Sequence, residues 1–223
     1  MKTGLLPQAL LKFFGGLILM GLVLFLPAGT FDYWNAWLLM GILFVPMLIT
    51  GSVLFFKAPE LLKKRLNANE GERQQKRVIL LSSLMFLGGF VISGLDFRFG
   101  WSKLPLWAVM AAAAVFLMAY AIWAEVLREN AFLSRTVEVQ ENQTVVDTGL
   151  YGVVRHPMYF ATVLLFLAMP LVLGSIFGFI VFLLYPFIMA SRIRNEEQVL
   201  LQGLPGYEDY TKKVKYRLIP FIW

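Results

Sequence analysis

The chain has 223 residues, of which 59% are hydrophobic and 15% are charged, and its mean hydropathy is +0.69. A soluble domain is about 45–50% apolar and about 25% charged, so this composition excludes an ordinary soluble protein. The chain has no cysteine and one histidine, which excludes disulfides, thiolate metal sites and a cysteine nucleophile and argues against a zinc site. The net charge of +6 matters less than where the Lys and Arg residues fall.

Four apolar runs come first along the chain, and each is long enough to cross a bilayer as a helix. A hydrocarbon core of about 30 Å requires about 20 apolar residues. The runs are Leu10–Pro27, Trp34–Phe56, Val78–Leu95 and Leu106–Val126. We interpret the first run as a retained helix and not as a cleaved signal peptide.

A fifth apolar region, Met158–Ala190, is interrupted at Leu173–Ser175 and predicts a tight helical hairpin. Pro170 and Pro186 are expected to kink its two arms. Each arm is short for a full crossing, so the sequence leaves open whether the hairpin spans the bilayer. The predicted fold is all-α: a polytopic membrane protein with about six transmembrane helices and a C-terminal hairpin.

The distribution of basic residues predicts the orientation. In a six-span arrangement, all but Arg98 and Lys103 of the 20 Lys and Arg residues fall on one side. The positive-inside rule then places both termini, and the polar segments beside the hairpin, in the cytoplasm. The basic connector Lys57–Arg77 is expected to form a short surface helix with Pro59 in its first turn. Asp96 is expected to lie in a loop on the outer side.

One long polar connector, residues 127–155, separates the fourth run from the hairpin. A connector of this length in a compact protein is more often functional than idle. The alternation in Ser134–Gln140 allows a short strand or an extended stretch. We therefore predict a four-helix transmembrane region over residues 1–126, followed over residues 127–223 by a cofactor-binding connector, the hairpin and a cytoplasmic tail, all within a single membrane domain.

The only histidine, His156, lies where this connector enters the fifth apolar region, in the motif Arg155–Tyr159 (RHPMY). Pro157 suits the first turn of a helix. The N-terminus of a helix offers free N–H groups and the positive end of its dipole, which favour a carboxylate or phosphate. The alternative is a simple helix start at the interface, with Arg155 extending to lipid headgroups.

At the other end of the hairpin the sequence reads Arg192-x-Arg-x-Glu196-Glu197. Arg192 and Glu196 are spaced to share one helix face. A hairpin returns to the side from which it started, so His156 and this pair should lie close together. Such an ionisable cluster at a membrane edge is by default a candidate functional site. The alternative is a solvated helix end with a modest ion pair. Residue spacing indicates no metal site.

The segment from about Asn130 to Pro220 resembles the isoprenylcysteine carboxyl methyltransferase family and its phospholipid methyltransferase relatives. The resemblance depends on an ordered series of motifs: Val139–Gln140, Gly149–Tyr151, Arg155–Tyr159, an apolar hairpin, Arg192–Glu197, and Tyr207 with Tyr210 before a basic tail. The connector Ala58–Arg65 also looks like a loop of the prokaryotic members.

The resemblance implies S-adenosylmethionine as methyl donor, bound at the cytoplasmic side, with membrane lipids and a lipidic or hydrophobic acceptor as the other partners and no nucleic acid or metal. The implied cofactor-binding residues are Gln140, Gln143, Thr144, Val145, Val146, Tyr151, His156, Pro157, Met158, Tyr159 and Glu196. Arg192 corresponds to the residue that meets the acceptor.

The chemistry of these side chains suits those roles. Glu196 could pair with the ammonium group of the donor, and Tyr151 and Tyr159 could offer π faces to its adenine or sulfonium. A carboxylate acceptor needs a cation such as Arg192 and no base, which favours a carboxylate. An acceptor that must lose a proton needs a base, for which Glu197 or Glu125 is the candidate, and we place Arg192 and Glu197 as catalytic.

Two other functions fit parts of the sequence. Membrane sterol-type reductases look similar in their C-terminal helical half, which binds NADPH. A lipid-binding membrane scaffold with a structural polar cluster is a non-enzymatic alternative. Cofactor binding separates the three, because only a specific ligand stabilises the folded state. The sequence does not identify the acceptor or the oligomeric state.

Overall fold

A computed structural model describes residues 4–66, 73–134 and 136–223. All its regular elements are helices: α1 (Leu5–Ala28), α2 (Trp34–Lys57), α3 (Pro59–Leu66), α4 (Arg73–Phe99), α5 (Leu106–Glu129), α6 (Pro157–Val172), α7 (Ile176–Phe182), α8 (Tyr185–Gly203) and α9 (Tyr207–Lys213). A short 3₁₀ helix, Gly149–Gly152, precedes α6. The all-α prediction is therefore confirmed for this part of the chain.

Five helical stretches are long and apolar enough to cross a membrane: Leu5–Ala28, Trp34–Lys57, Gln75–Phe99, Leu106–Glu129 and Ile176–Gly203. The last contains both α7 and α8. Helix α6 is also apolar but has 16 residues, about 24 Å at about 1.5 Å per residue, which is short of a core of about 30 Å. The chain is a polytopic membrane protein, and the count of six crossings stays a prediction.

The hairpin is more segmented than its sequence suggested. Its first arm is α6, and its second arm is divided by a turn at Leu183 and Leu184 into α7 and α8. Pro186 occupies the first turn of α8, where a missing N–H removes no helical hydrogen bond, so it begins a helix and does not kink one. Pro170 lies inside α6, near its end.

The predicted surface helix is present as α3, which begins at Pro59. Its apolar residues Leu61 and Leu62 are buried in the protein. Residues 67–72 of the predicted stretch lie outside the described residues, and residues 73–77 form the start of α4. The connector residues 134 and 136–140 form no strand.

The turn between α6 and α7 is fixed to the rest of the protein by buried polar contacts. Asp96, expected in an outer loop, is in fact within α4 and 1% exposed. Its carboxylate accepts hydrogen bonds from the Ser175 hydroxyl at 2.5 Å and the Ser102 hydroxyl at 2.8 Å. The Tyr33 hydroxyl donates to the Leu173 carbonyl at 2.7 Å. Satisfied polar groups of this kind hold the hairpin in register.

Small residues let α5 and α6 approach each other closely. The buried alanines are Ala112, Ala113 and Ala119 on α5 and Ala161 and Ala168 on α6. Small side chains at helix interfaces are typical of membrane proteins, in which packing replaces the hydrophobic driving force. This packing places the start of α6 beside the end of α5 and the polar connector.

Candidate active site

A polar cavity lies where the connector meets the start of α6, the end of α8 and α9. Its wall includes the connector residues Thr144, Val145 and Val146, together with Tyr151 of the 3₁₀ helix and Tyr207 of α9. The predicted cofactor residues Gln143, Thr144, Val145, Val146, Tyr151, His156, Met158, Tyr159 and Glu196 all line this one cavity. Residues predicted from scattered motifs are therefore brought together in space, and their roles stay predictions.

Two of the predicted cofactor residues do not line the cavity. Pro157 is buried at the start of α6, where it fixes the helix start. The Gln140 side-chain amide donates to the Phe132 carbonyl at 2.5 Å, and the Gln140 backbone N–H donates to the Gln143 side chain at 2.9 Å. Gln140 thus shapes the connector behind the cavity wall.

A buried carboxylate organises the protein behind His156. Glu197 is 5% exposed, and its two oxygens lie 2.7 Å from Nε of Arg155, 3.3 Å from Nε2 of His156 and 2.6 Å from Nε of Arg217. The Arg155 guanidinium also donates to the Val214 carbonyl at 2.8 Å. Glu197 therefore joins α8, the start of α6 and the C-terminal tail.

The tail is paired with the histidine segment through its backbone as well. The backbone N–H groups of Arg155 and His156 donate to the carbonyls of Tyr216 and Arg217, each at 2.9 Å. Because both N–H groups have partners in the tail, they are engaged in the structure before any ligand binds. The position of His156 in the cavity wall consequently depends on the tail.

Glu197 is therefore expected to contribute strongly to folding. Removing the charge of one partner in a buried ion network leaves the others uncompensated and costs about 3–5 kcal/mol. We expect Glu197→Gln to lower the free energy of unfolding by about 3 kcal/mol, since Arg217 is partly exposed. Thermal unfolding of the variant and the wild type in detergent measures this difference in the free energy of unfolding. Glu208→Gln, which removes an exposed partner of Lys212, is the control and should change nothing.

That experiment also tests the predicted catalytic role of Glu197. Its side chain lines neither cavity described here, and its oxygens face Arg155, His156 and Arg217. A positioning role fits this placement. Unchanged thermal stability of the Glu197→Gln variant, together with a large fall in kcat, would instead support a catalytic base.

Tyr159 connects the cavity to Arg192. Its hydroxyl donates a short hydrogen bond to Glu196 and accepts one from Nε of Arg192 at 2.9 Å. The His156 and Tyr159 rings are stacked, with centroids 5.7 Å apart. Arg192 and Glu196, which are predicted to share one face of α8, do share it, and Tyr159 of α6 bridges them.

A second, larger cavity of about 530 Å³ begins on the other side of Tyr159. Its wall comes from α2, α3, α4, α5, α6, α8 and the connector and is mostly apolar, with residues such as Met47, Phe86 and Trp123. Among the described residues that line it, the charged ones are Arg65 and Arg192. Ser134, Met158 and Tyr159 line both cavities, so the polar and apolar cavities meet at these three residues.

The site also contains residues to which the motif analysis gave no role. Tyr207 lines the polar cavity, and its buried hydroxyl has no hydrogen-bond partner among the described residues. Burial, and next the charge of Glu197, raise the pKa of Tyr207, so the hydroxyl stays protonated and can donate. The Tyr210 hydroxyl donates to the Tyr151 carbonyl at 2.7 Å. The pair Tyr207 and Tyr210 was visible as a motif, but its spacing alone does not indicate which tyrosine faces a ligand.

Comparisons with known proteins match the part of the chain that runs from α5 to α8. The model of the isoprenylcysteine carboxyl methyltransferase (ICMT) family matches residues 107–202, which include nearly all of α5 and α8 together with the connector, α6 and α7. The Delta(14)-sterol reductase of Mus musculus is 28% identical over 91 residues, or 40% of this chain. The chain spans 22% of the length of that curated relative. The resemblance predicted from the motifs is confirmed: residues 107–202 carry the sequence pattern of the isoprenylcysteine carboxyl methyltransferase family, which supports a membrane methyltransferase.

Proposed function

We propose that the protein transfers a methyl group from S-adenosylmethionine to a hydrophobic acceptor at the cytoplasmic face of a membrane. One observation carries the proposal. A polar cavity suited to the donor and an apolar cavity suited to a lipidic acceptor meet at Ser134, Met158 and Tyr159. A reaction between a polar and a lipidic substrate requires such a junction, because the reacting atoms must come within about 3–3.5 Å of each other.

The chemistry of the polar cavity fits the donor. The donor carries a sulfonium, an ammonium, a carboxylate and an adenosine, and it supplies an electrophilic methyl group. The carboxylates of Glu138 and Glu196 line the cavity and suit its positive groups. The unpartnered Tyr207 hydroxyl is a donor for a ribose, base or carboxylate oxygen, because leaving a buried polar group unpaired is costly. The Tyr151 ring offers a π face.

The second cavity fits an acceptor with an apolar tail. The Arg192 guanidinium lines this cavity and contacts Tyr159 through Nε and Gln75 through Nη1, and its positive charge can hold a carboxylate. An acceptor carboxylate held there needs no base, and the role of Arg192 is alignment of the acceptor oxygen with the methyl group. In this arrangement Tyr159 holds Glu196 and Arg192 in fixed relation. In this proposal residues 127–223 bind the donor, and residues 1–126 help to enclose the acceptor.

The proposed orientation follows from charge. The basic residues of α3, of the tail and of the ends of α5 and α8 all lie on the side of His156 in a six-span arrangement, which the positive-inside rule assigns to the cytoplasm. A cytoplasmic donor would then enter the polar cavity from water, and the acceptor would enter the apolar cavity from the bilayer. This orientation is supported by the sequence of the loops.

An NADPH-dependent reductase is the second candidate, and one comparison favours it. The relative with 28% identity over 91 residues is named as a sterol reductase. Its matched segment is a small part of that protein, however, and the family model that matches residues 107–202 is that of a methyltransferase. The carboxylates of Glu138 and Glu196 also line the polar cavity. Their negative charges would repel the phosphates of a dinucleotide.

Ligand-dependent stability separates the candidates. We expect S-adenosylhomocysteine to raise the melting temperature of the detergent-purified protein, since a ligand at about 100 times its Kd adds about 2.7 kcal/mol to the folded state. NADPH should give no shift. A shift with NADPH alone would refute the methyltransferase and support the reductase, and a protein stabilised by neither ligand would support a non-enzymatic role.

A further inference from the structure

The segment that follows α9 exposes apolar side chains. Residues 219–223 form a loop, the tail loop, in which Ile219, Phe221 and Ile222 are 38%, 88% and 77% exposed. Trp223 of the same loop packs against the main hydrophobic core. Three exposed lysines precede the loop: Lys212, Lys213 and Lys215. Basic residues beside exposed aromatic and aliphatic side chains are typical of segments that lie in a membrane interface.

The backbone of the tail loop is closed by its own hydrogen bonds. The N–H groups of Leu218 and Ile219 donate to the backbone oxygen of Trp223 at 2.9 and 3.0 Å, and the Trp223 N–H donates to the Ile219 carbonyl at 3.1 Å. The exposed side chains are therefore presented from a defined turn.

Phe221 pays for its place in this turn with an unfavourable backbone conformation. Its φ is 65°, in the left-handed region that is uncommon for a bulky residue. The ring of Phe221 contacts that of Tyr216, with centroids 5.3 Å apart, yet 88% of the residue stays exposed. Packing within the protein thus offsets little of this cost, and an apolar environment outside the protein would offset more.

The path of the tail leads back toward the apolar part of α8. Arg217 contacts Glu197, and the next residue, Leu218, is buried in the core cluster that includes Ile193. Ile193 lies about one helical turn before Glu197, closer to the apolar part of the membrane-crossing stretch Ile176–Gly203. The tail loop follows directly on Leu218, so it is continuous with the surface that the long helices present to lipid.

We propose that the tail loop inserts Phe221 and Ile222 into the boundary between lipid headgroups and acyl chains, so that the tail lies on the membrane and not free in water. The partner is the lipid surface itself, and the exposed Lys215 would lie at the level of the lipid phosphates. Because carbonyls of the tail hold the N–H groups of Arg155 and His156, this insertion attaches one wall of the polar cavity to the membrane surface. The insertion is independent of which cofactor that cavity binds.

Site-directed spin labelling tests the insertion, because the chain has no cysteine and a single introduced cysteine takes the label alone. The variants Phe221→Cys and Ile222→Cys are labelled separately in the full chain and reconstituted into phospholipid vesicles. Collisions of the label with oxygen, which concentrates in lipid, and with a water-soluble nickel chelate are measured by EPR. Glu208→Cys, at an exposed position on α9, is the matched control. We expect the ratio of oxygen to nickel accessibility to be several-fold higher at both loop positions than at the control.

A second variant tests whether Phe221 holds the loop in lipid. Phe221→Asp, added to the chain labelled at Ile222→Cys, places a charge where the ring was and should raise the nickel accessibility of the label toward that of the Glu208→Cys control. Aspartate adopts the left-handed conformation more readily than phenylalanine, so the fold should be kept, and thermal unfolding in detergent checks this.

Three results would overturn the insertion. Loop labels that nickel reaches as readily as the label at Glu208→Cys would place the loop in water. Loop labels protected from both reagents would indicate contact with protein, such as a second copy of this chain. A label at Ile222→Cys that Phe221→Asp leaves unchanged would remove Phe221 from the contact with lipid. Neither measurement uses S-adenosylhomocysteine, so the insertion and the proposed function stand or fail separately.

Discussion

Glu196→Gln is expected to weaken the binding of S-adenosylhomocysteine by about 10- to 100-fold. A hydrogen bond to a charged partner contributes about 1.5–3 kcal/mol, and the substitution removes the charge that would meet the donor's ammonium group. A glutamine keeps an oxygen that can accept from the Tyr159 hydroxyl, so the contact between α6 and α8 is retained. Isothermal titration of the detergent-purified protein measures the affinity directly.

Glu125→Gln is the matched control for this experiment. Glu125 makes an exposed ion pair with Arg128, with Nη2 and Oε1 2.5 Å apart, and it lines neither cavity. The Glu125→Gln variant should bind S-adenosylhomocysteine with the affinity of the wild type. A Glu196→Gln variant that melts normally and keeps full affinity would remove Glu196 from the donor site, and an effect of Glu125→Gln would extend the site to the end of α5.

Much of the fold could be predicted because apolar length is a strong signal in a membrane protein. In the lipid core the backbone must satisfy its own hydrogen bonds, so a long apolar run is almost always a helix. The predicted run Trp34–Phe56 became α2 (Trp34–Lys57), and Leu106–Val126 became α5 (Leu106–Glu129). The break at Leu183 and Leu184 was missed because both residues are apolar and give no turn signal.

Single polar residues inside helices were harder to place. Asp96 follows an apolar run, a position that predicts a loop, whereas in the structure it is buried in α4 and accepts hydrogen bonds from the hydroxyls of Ser102 and Ser175. Those partners lie 6 and 79 residues away in the chain. A carboxylate is buried only where tertiary structure supplies its hydrogen bonds, and the positions of tertiary partners are not encoded in local sequence patterns.

For the candidate site as well, some features could be predicted from the sequence and others depend on tertiary structure. The hairpin argument correctly brings His156 near Arg192 and Glu196, because the two ends of a hairpin return to one side. The bridging position of Tyr159 and the attachment of Glu197 to the tail through Arg217 depend on side-chain direction and on long-range packing. Adjacent residues on a helix, such as Glu196 and Glu197, point about 100° apart, so they reach different surroundings and take different roles.

Arg192→Ala is expected to lower kcat/KM for the acceptor by about 100-fold or more while donor affinity stays within about twofold of the wild type. Arg192 lines the apolar cavity and not the polar one, so its loss should misplace the acceptor and leave the donor contacts intact. The measurement is transfer of a radiolabelled methyl group from S-adenosylmethionine to whichever of a prenylcysteine, a fatty acid or a small thiol the wild type methylates fastest.

Arg194→Ala provides the control, because Arg194 is an exposed arginine on the same helix and lines neither cavity. Arg192→Lys refines the interpretation: it keeps the charge but loses the planar fork, so partial recovery means that charge holds the acceptor, and none means that paired hydrogen bonds are required. If Arg192→Ala instead weakens the binding of S-adenosylhomocysteine as much as it slows turnover, the contact of Arg192 with Tyr159 at 2.9 Å matters more than its contact with the acceptor. In that case Arg192 belongs to the support of the donor site, and the residue that holds the acceptor must be sought elsewhere in the apolar cavity.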